Sequence, residues 1–126
     1  YHKVAIEATG LRSLARKAVL DVGCGRGGGL AFLASHFQPD SCTGVDITRR
    51  VVDTANEAAR SFTLCPLNYV EGDAEALNLT VQNRKDPAQF DLIIMIETYH
   101  ALSRPIDMLQ SVTKHLKPQN GQSSGG

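Results

Sequence analysis

Apolar side chains along this chain keep two rhythms. Short unbroken apolar runs end on glycine or aspartate, and between them apolar residues recur every three or four positions. Ala18-Val19-Leu20-Asp21-Val22 stops at glycines, as expected of a buried strand that feeds a tight turn. Leu30, Leu33, Ala34 and Phe37 then predict a helix, which Pro39-Asp40 stops. Residues 42–46 predict a second strand ending on a carboxylate, followed by a helix over about 49–60 with Val51, Val52, Ala55, Ala58 and Ala59 on one face. Leu67–Glu71 predicts a third strand that Gly72-Asp73 turns, and the polar stretch 78–89, with Pro87, predicts a loop. Residues 90–96 predict the fourth and most apolar strand. Ser103 and Pro105 open a last helix with Ile106, Leu109, Val112 and Leu116 as its inner stripe, and Pro118 ends it. Residues 3–17 predict one or two short helical pieces broken at Gly10. Strands alternating with helices predict an α/β domain with a mainly parallel sheet.

Candidate chemistry gathers where the predicted strands end. Glycines at 23, 25, 27, 28 and 29 let the backbone turn tightly and approach a ligand, and a helix starting near Gly27 or Gly28 aims its free amides at the same space. A tight strand-to-helix turn without a ligand is the plainer alternative. Asp46, about twenty residues past the loop, is placed to accept hydrogen bonds from ribose hydroxyls, or else serves as a helix N-terminal charge. Asp73 occupies the matching place after the third strand, where it meets an adenine amino group or simply forms a turn. Glu97-Thr98-Tyr99-His100 follows the fourth strand, at the edge where open α/β sheets keep their ligand crevice. His100 is equally readable as an exposed loop histidine.

Composition narrows the partners. The 126 residues suit one domain, and 13 basic against 13 acidic side chains leave no surplus charge for a phosphate backbone, so nucleic acid is not an expected partner. No apolar run is long enough to span a bilayer. Cys24, Cys42 and Cys65 are odd in number and lack paired metal-ligand spacing, which predicts free thiols, no metal and a cytoplasmic address. The chain begins at Tyr1 without a signal peptide, which suggests a fragment of a longer chain, and residues 121–126 predict a flexible tail.

From about Val19 to Gly121 these pieces resemble the class I S-adenosylmethionine-dependent methyltransferases. Asp21-x-Gly23-x-Gly25-x-Gly27 is similar to that family's first motif, Gly72-Asp73-Ala74-Glu75 to its adenine turn, Phe90-Asp91-Leu92-Ile93-Ile94 to its fourth strand, and His115-Leu116-Lys117-Pro118 to the segment before its fifth. Gln119 and Asn120 stand before Gly121, so the family's usual glycine pair is absent. The resemblance implies a Rossmann-like, doubly wound sheet, truncated after the fourth strand and its following helix. It implies S-adenosyl-L-methionine as cofactor, S-adenosyl-L-homocysteine as product, and cofactor contacts at Asp21, Gly23, Cys24, Gly25, Gly27, Asp46, Ile47, Asp73, Ala74 and Glu97. Residues 96–101 are most similar to sterol, lipid and polyketide methyltransferases, which puts Glu97 and His100 near the transferred methyl and predicts a small lipid-like acceptor, methylated on oxygen or carbon.

Two rivals share the same residues. Gly23-x-Gly25-x-x-Gly28 with Asp46 also satisfies the fingerprint of NAD(P)-dependent oxidoreductases, and a non-catalytic cofactor-binding module would keep the same loop. No Asn-Pro-Pro-Tyr or Asp-Pro-Pro-Tyr signature follows the fourth strand, which disfavours a nucleic-acid methyltransferase. Oligomeric state leaves no trace in the pattern.

Overall fold

The computed structural model describes residues 2–81, 85–96 and 103–118, and there the alternation becomes one sheet with helices on both faces. Strands β1 (Ala18–Val22), β2 (Ser41–Asp46), β3 (Leu67–Glu71) and β4 (Leu92–Ile94) pair in the order β3-β2-β1-β4, all parallel. Helix α1 (His2–Ala8) precedes the sheet, α2 (Gly28–Phe37) links β1 to β2, α3 (Arg49–Ala59) links β2 to β3, and α4 (Pro105–Thr113) follows β4.

The two-residue period of β1 sorts its side chains between two cores. Val19 packs with Ile6, Leu30, Leu33 and Val52 on the side of α1, α2 and α3. Leu20 and Val22 pack with Leu77, Phe90, Met108 and Val112 on the side of α4. Asp21 therefore shares the face of Val19. From β1 the chain steps outward through β2 and β3, then returns to lay β4 on the other flank of β1. The strand order reverses between β1 and β4, and a crevice opens beyond their carboxyl ends at such a switch point. At the other edge Asn56 of α3 covers β3: its amide donates to the Tyr69 carbonyl at 2.8 Å and accepts from the Tyr69 amide at 2.9 Å. No helix among the described residues is long and apolar enough to cross a membrane.

Two expectations needed correction. The fourth strand covers three residues rather than 90–96. Phe90 instead bridges Leu116, its amide donating to His115 at 2.7 Å and its carbonyl accepting from Lys117 at 2.8 Å, while the Asp91 carboxylate takes the Ala18 amide at 2.8 Å. An apolar run says that a segment is buried, but not where its ladder ends. The inner face of α4 is likewise Met108 and Val112, with Ile106 and Leu109 exposed, and the helix stops at Thr113. The hydroxyl of Ser111 donates to the Ala74 carbonyl and sets the rotation of the helix against the 3-10 turn Ala74–Ala76. Beyond α4, His115 is fully buried. Its Nδ1 lies 2.8 Å from the Ala88 carbonyl and its Nε2 accepts from the Leu79 amide at 3.3 Å, a pattern that selects the neutral Nδ1–H tautomer.

Candidate cofactor site

Beyond Val22 the amides of Gly23 and Cys24 both donate to the Val45 carbonyl, at 2.7 and 2.9 Å, which folds the chain over the end of β2. Gly25, with φ +57, donates its amide to Asp46 Oδ2 at 3.1 Å, and Oδ1 of the same carboxylate accepts from the Thr48 amide at 3.0 Å. Asp46 thus ties the loop to the start of α3, and each oxygen keeps a second lone pair for a hydroxyl donor. Gly27, with φ +88, is the N-cap of α2.

The glycines serve different neighbours. A Cβ at Gly27 would lie 2.5 Å from the Tyr69 ring, whose hydroxyl donates to the Gly27 carbonyl at 2.9 Å. A Cβ at Gly29 would lie 2.1 Å from the His2 ring. At Gly25 and Gly28, by contrast, a Cβ would meet no atom within 4 Å. The first two make room for aromatic rings of the protein, and the second two keep a cradle open.

That cradle is the floor of a cavity of about 360 Å³ lined by His2, Asp21, residues 23–29 and Ile96, the last just past β4. It opens at the switch point. Asp21 is 1% exposed, and its Oδ2 lies 2.9 Å from His2 Nε2. One wall therefore carries a carboxylate, while the floor carries the positive end of α2 with its unpaired first-turn amides. An ammonium suits the first and a carboxylate suits the second, so the residues fit the amino-acid end of S-adenosyl-L-methionine. The Cys24 thiol donates to the Gly25 carbonyl at 3.6 Å. Burial, then the charges of Asp21 and Asp46, push its pKa up to about 12, so it stays protonated and is no nucleophile.

Of the sequence-predicted contacts, the cavity brings together Asp21, Gly23, Cys24, Gly25 and Gly27, and Asp46 joins it through Gly25. Ile47, Asp73 and Ala74 are not in its wall and follow the ends of β2 and β3 at the same edge of the sheet. Ile47 is 67% exposed and offers apolar surface beside Asp46. Asp73 is exposed and accepts from the Glu75 amide at 2.9 Å, while Ala74 is buried. Glu97 and His100 lie outside the described residues. Glu75 ties the turn after β3 to the start of α4: its carboxylate accepts from the amides of Ser103 at 2.7 Å and Arg104 at 3.0 Å. These amides, that of Arg104 foremost, hold its carboxyl below the ordinary range. Sequence reasoning missed His2 and Tyr69. Tyr69 was visible only as a strand residue, and the weakly patterned segment holding His2 carried no signal.

A parallel sheet with a cavity at its switch point that sets a buried carboxylate against a helix amino end, and with a second carboxylate one strand away, defines a Rossmann-like α/β domain. A family model described as a methyltransferase domain matches residues 19–119, and the chain belongs to that family, whose cofactor is S-adenosyl-L-methionine. It is 34% identical over 118 residues to a fatty-acid O-methyltransferase of Mycolicibacterium smegmatis, covering 94% of this chain and 38% of that protein. It is 32% identical to the phthiotriol/phenolphthiotriol dimycocerosates methyltransferase 1 of Mycobacterium ulcerans, covering 94% of this chain and 39% of that protein. An S-adenosylmethionine-dependent methyltransferase structure from Aquifex aeolicus shares the fold, with a TM-score of 0.74 at 24% identity over 93% of this chain and 58% of that one. The chain thus spans 38% and 39% of the lengths of these two curated relatives.

Proposed function

We propose that the protein transfers the methyl group of S-adenosyl-L-methionine to an oxygen of a small lipid-like acceptor. The cavity walled by Asp21 and floored by the amino end of α2 carries the cofactor half of this reading, because its two charges match an amino-acid zwitterion. A buried carboxylate in that wall opposes the pyrophosphate of a nicotinamide dinucleotide. The acceptor half draws on the relative named for fatty-acid O-methylation.

Bound in the cavity, the cofactor supplies an electrophilic methyl on a sulfonium. Asp21 and the first turn of α2 hold its amino-acid end, Asp46 takes the ribose hydroxyls, and Ile47, Asp73 and Ala74 receive the adenine. Alignment and exclusion of water are then the main tasks of the protein. Glu97 and His100 follow β4 in the sequence and are the candidates to meet the acceptor. For an alcohol acceptor, His100 would take the hydroxyl proton and so raise the nucleophilicity of the oxygen to be methylated. Glu97 supports the cofactor ammonium or balances positive charge beside the methyl. A carboxylate acceptor is already deprotonated and needs no base.

Thermal shift with S-adenosyl-L-homocysteine and with NAD tests the cofactor, and transfer of labelled methyl to a fatty acid and to the matching fatty alcohol tests the acceptor. The homocysteine product should stabilise the protein and NAD should not; the opposite result overturns the reading. His100→Ala should slow alcohol methylation by about 10²- to 10⁴-fold and leave carboxylate methylation nearly unchanged. Equal losses on both acceptors would remove His100 as the base.

A further inference from the structure

We propose that His2 is a positioning residue for the cofactor: its imidazole fixes the Asp21 carboxylate and closes the amino-acid end of the cavity, which makes α1 part of the binding site. This rests on the cofactor reading above.

Helix α1 has seven residues, too few to be stable alone, and it is held by Ile6, which is fully buried against the core on the α2 side of the sheet. That anchor carries His2 across the first turn of α2. The ring fills the space above Gly29, and its Nε2 donates to Asp21 Oδ2 at 2.9 Å. With a side chain 17% exposed against 2% for Asp21, His2 is the outer member of the pair and lines the cavity itself.

Two locally unfavourable choices follow from that ring. A buried carboxylate within a strand costs free energy unless it is hydrogen-bonded, and His2 supplies a donor. Glycine is among the poorest residues inside a helix, yet Gly29 stands at the second position of α2, where its nearest contacts, were it to carry a Cβ, would all be atoms of the His2 ring. Both departures lie at the wall of one cavity, where local rules are broken for function. The cofactor ammonium thus meets a carboxylate already oriented by the imidazole.

The test is calorimetric titration of S-adenosyl-L-homocysteine into the protein and its His2→Ala, His2→Gln, Gly29→Ala and double His2→Ala/Gly29→Ala variants, with circular dichroism to check the fold. His2→Ala should weaken binding about tenfold or more, the scale of one charge-assisted hydrogen bond, with an unchanged spectrum. His2→Gln, whose amide can still donate to Asp21, should recover most of that loss. Gly29→Ala should displace the ring and reproduce the loss, and the double variant should bind no worse than either single one because the two changes remove the same contact. If the unaltered protein binds and His2→Ala binds within about twofold of it, the assignment falls while the methyltransferase reading stands. Should His2→Ala not fold, a folded Gly29→Ala with unaltered affinity overturns the assignment instead. Absence of binding by the unaltered protein overturns both.

Discussion

Tyr69 supports the glycine loop from within the sheet. It is 4% exposed, its ring fills the space beside Gly27 and Gly44, and its hydroxyl donates to the Gly27 carbonyl. Burial, with neighbouring Cys24, Cys42 and Asp21, raises the phenol pKa, so the group remains a donor across the working pH range. Tyr69→Phe keeps the ring and removes one of two donors to the Gly27 carbonyl, which also accepts from the Ala31 amide at 3.0 Å, so it should cost about 0.5–1.5 kcal/mol in urea unfolding and loosen the loop enough to weaken binding of S-adenosyl-L-homocysteine. A variant with the parent's midpoint would show that the bond contributes nothing. The aspartates at strand ends and the closely spaced glycines were visible in the chain, since residue type and spacing carry them. The tasks of individual glycines were not, because each depends on a ring brought from elsewhere.

At the scale of elements, Glu75 caps the amino end of α4 and ties the turn after β3 to Ser103 and Arg104. Its carboxyl titrates below its ordinary value, so the tether is fully present above that value and is released as pH falls through the lowered one. Glu75→Ala should speed amide hydrogen exchange in the first turn of α4 while amides of β1 and β2 keep their rates. Uniform acceleration would mean that the whole domain, not the cap, had been weakened. The pattern predicted α2, α3 and β1 to β3 closely because their apolar positions contact the nearest layer. It misplaced the inner face of α4, where the contacts of Ser111 and Met108 set the helix rotation rather than its most apolar stripe.

For the whole molecule, Asp91 joins three separate stretches: its carboxylate accepts from the Ala18 amide at the start of β1 and from Lys117 at 3.1 Å beyond α4. Burial would raise its pKa, yet the Ala18 hydrogen bond and the Lys117 ammonium outweigh it, and the group titrates below its ordinary value. Its contribution to stability is therefore complete above the usual aspartate pKa of about 3.9 and is lost as pH falls through the lower folded value. Asp91→Asn should lower the urea midpoint at neutral pH and flatten its decline between about pH 4 and pH 2. A parallel decline in both proteins would remove Asp91 from the acid response.

The sequence by itself determined the α/β alternation, the glycine loop between Asp21 and Gly28, and the carboxylates at and just beyond the ends of β2 and β3. Those features depend on local periodicity and on residues near each other in the chain. Only the tertiary structure decided that His2 meets Asp21, 19 positions away, and that Tyr69 meets Gly27, 42 positions away. Such pairs form when two layers pack on a common sheet, and no local spacing encodes which side chain will fill the space that a glycine leaves.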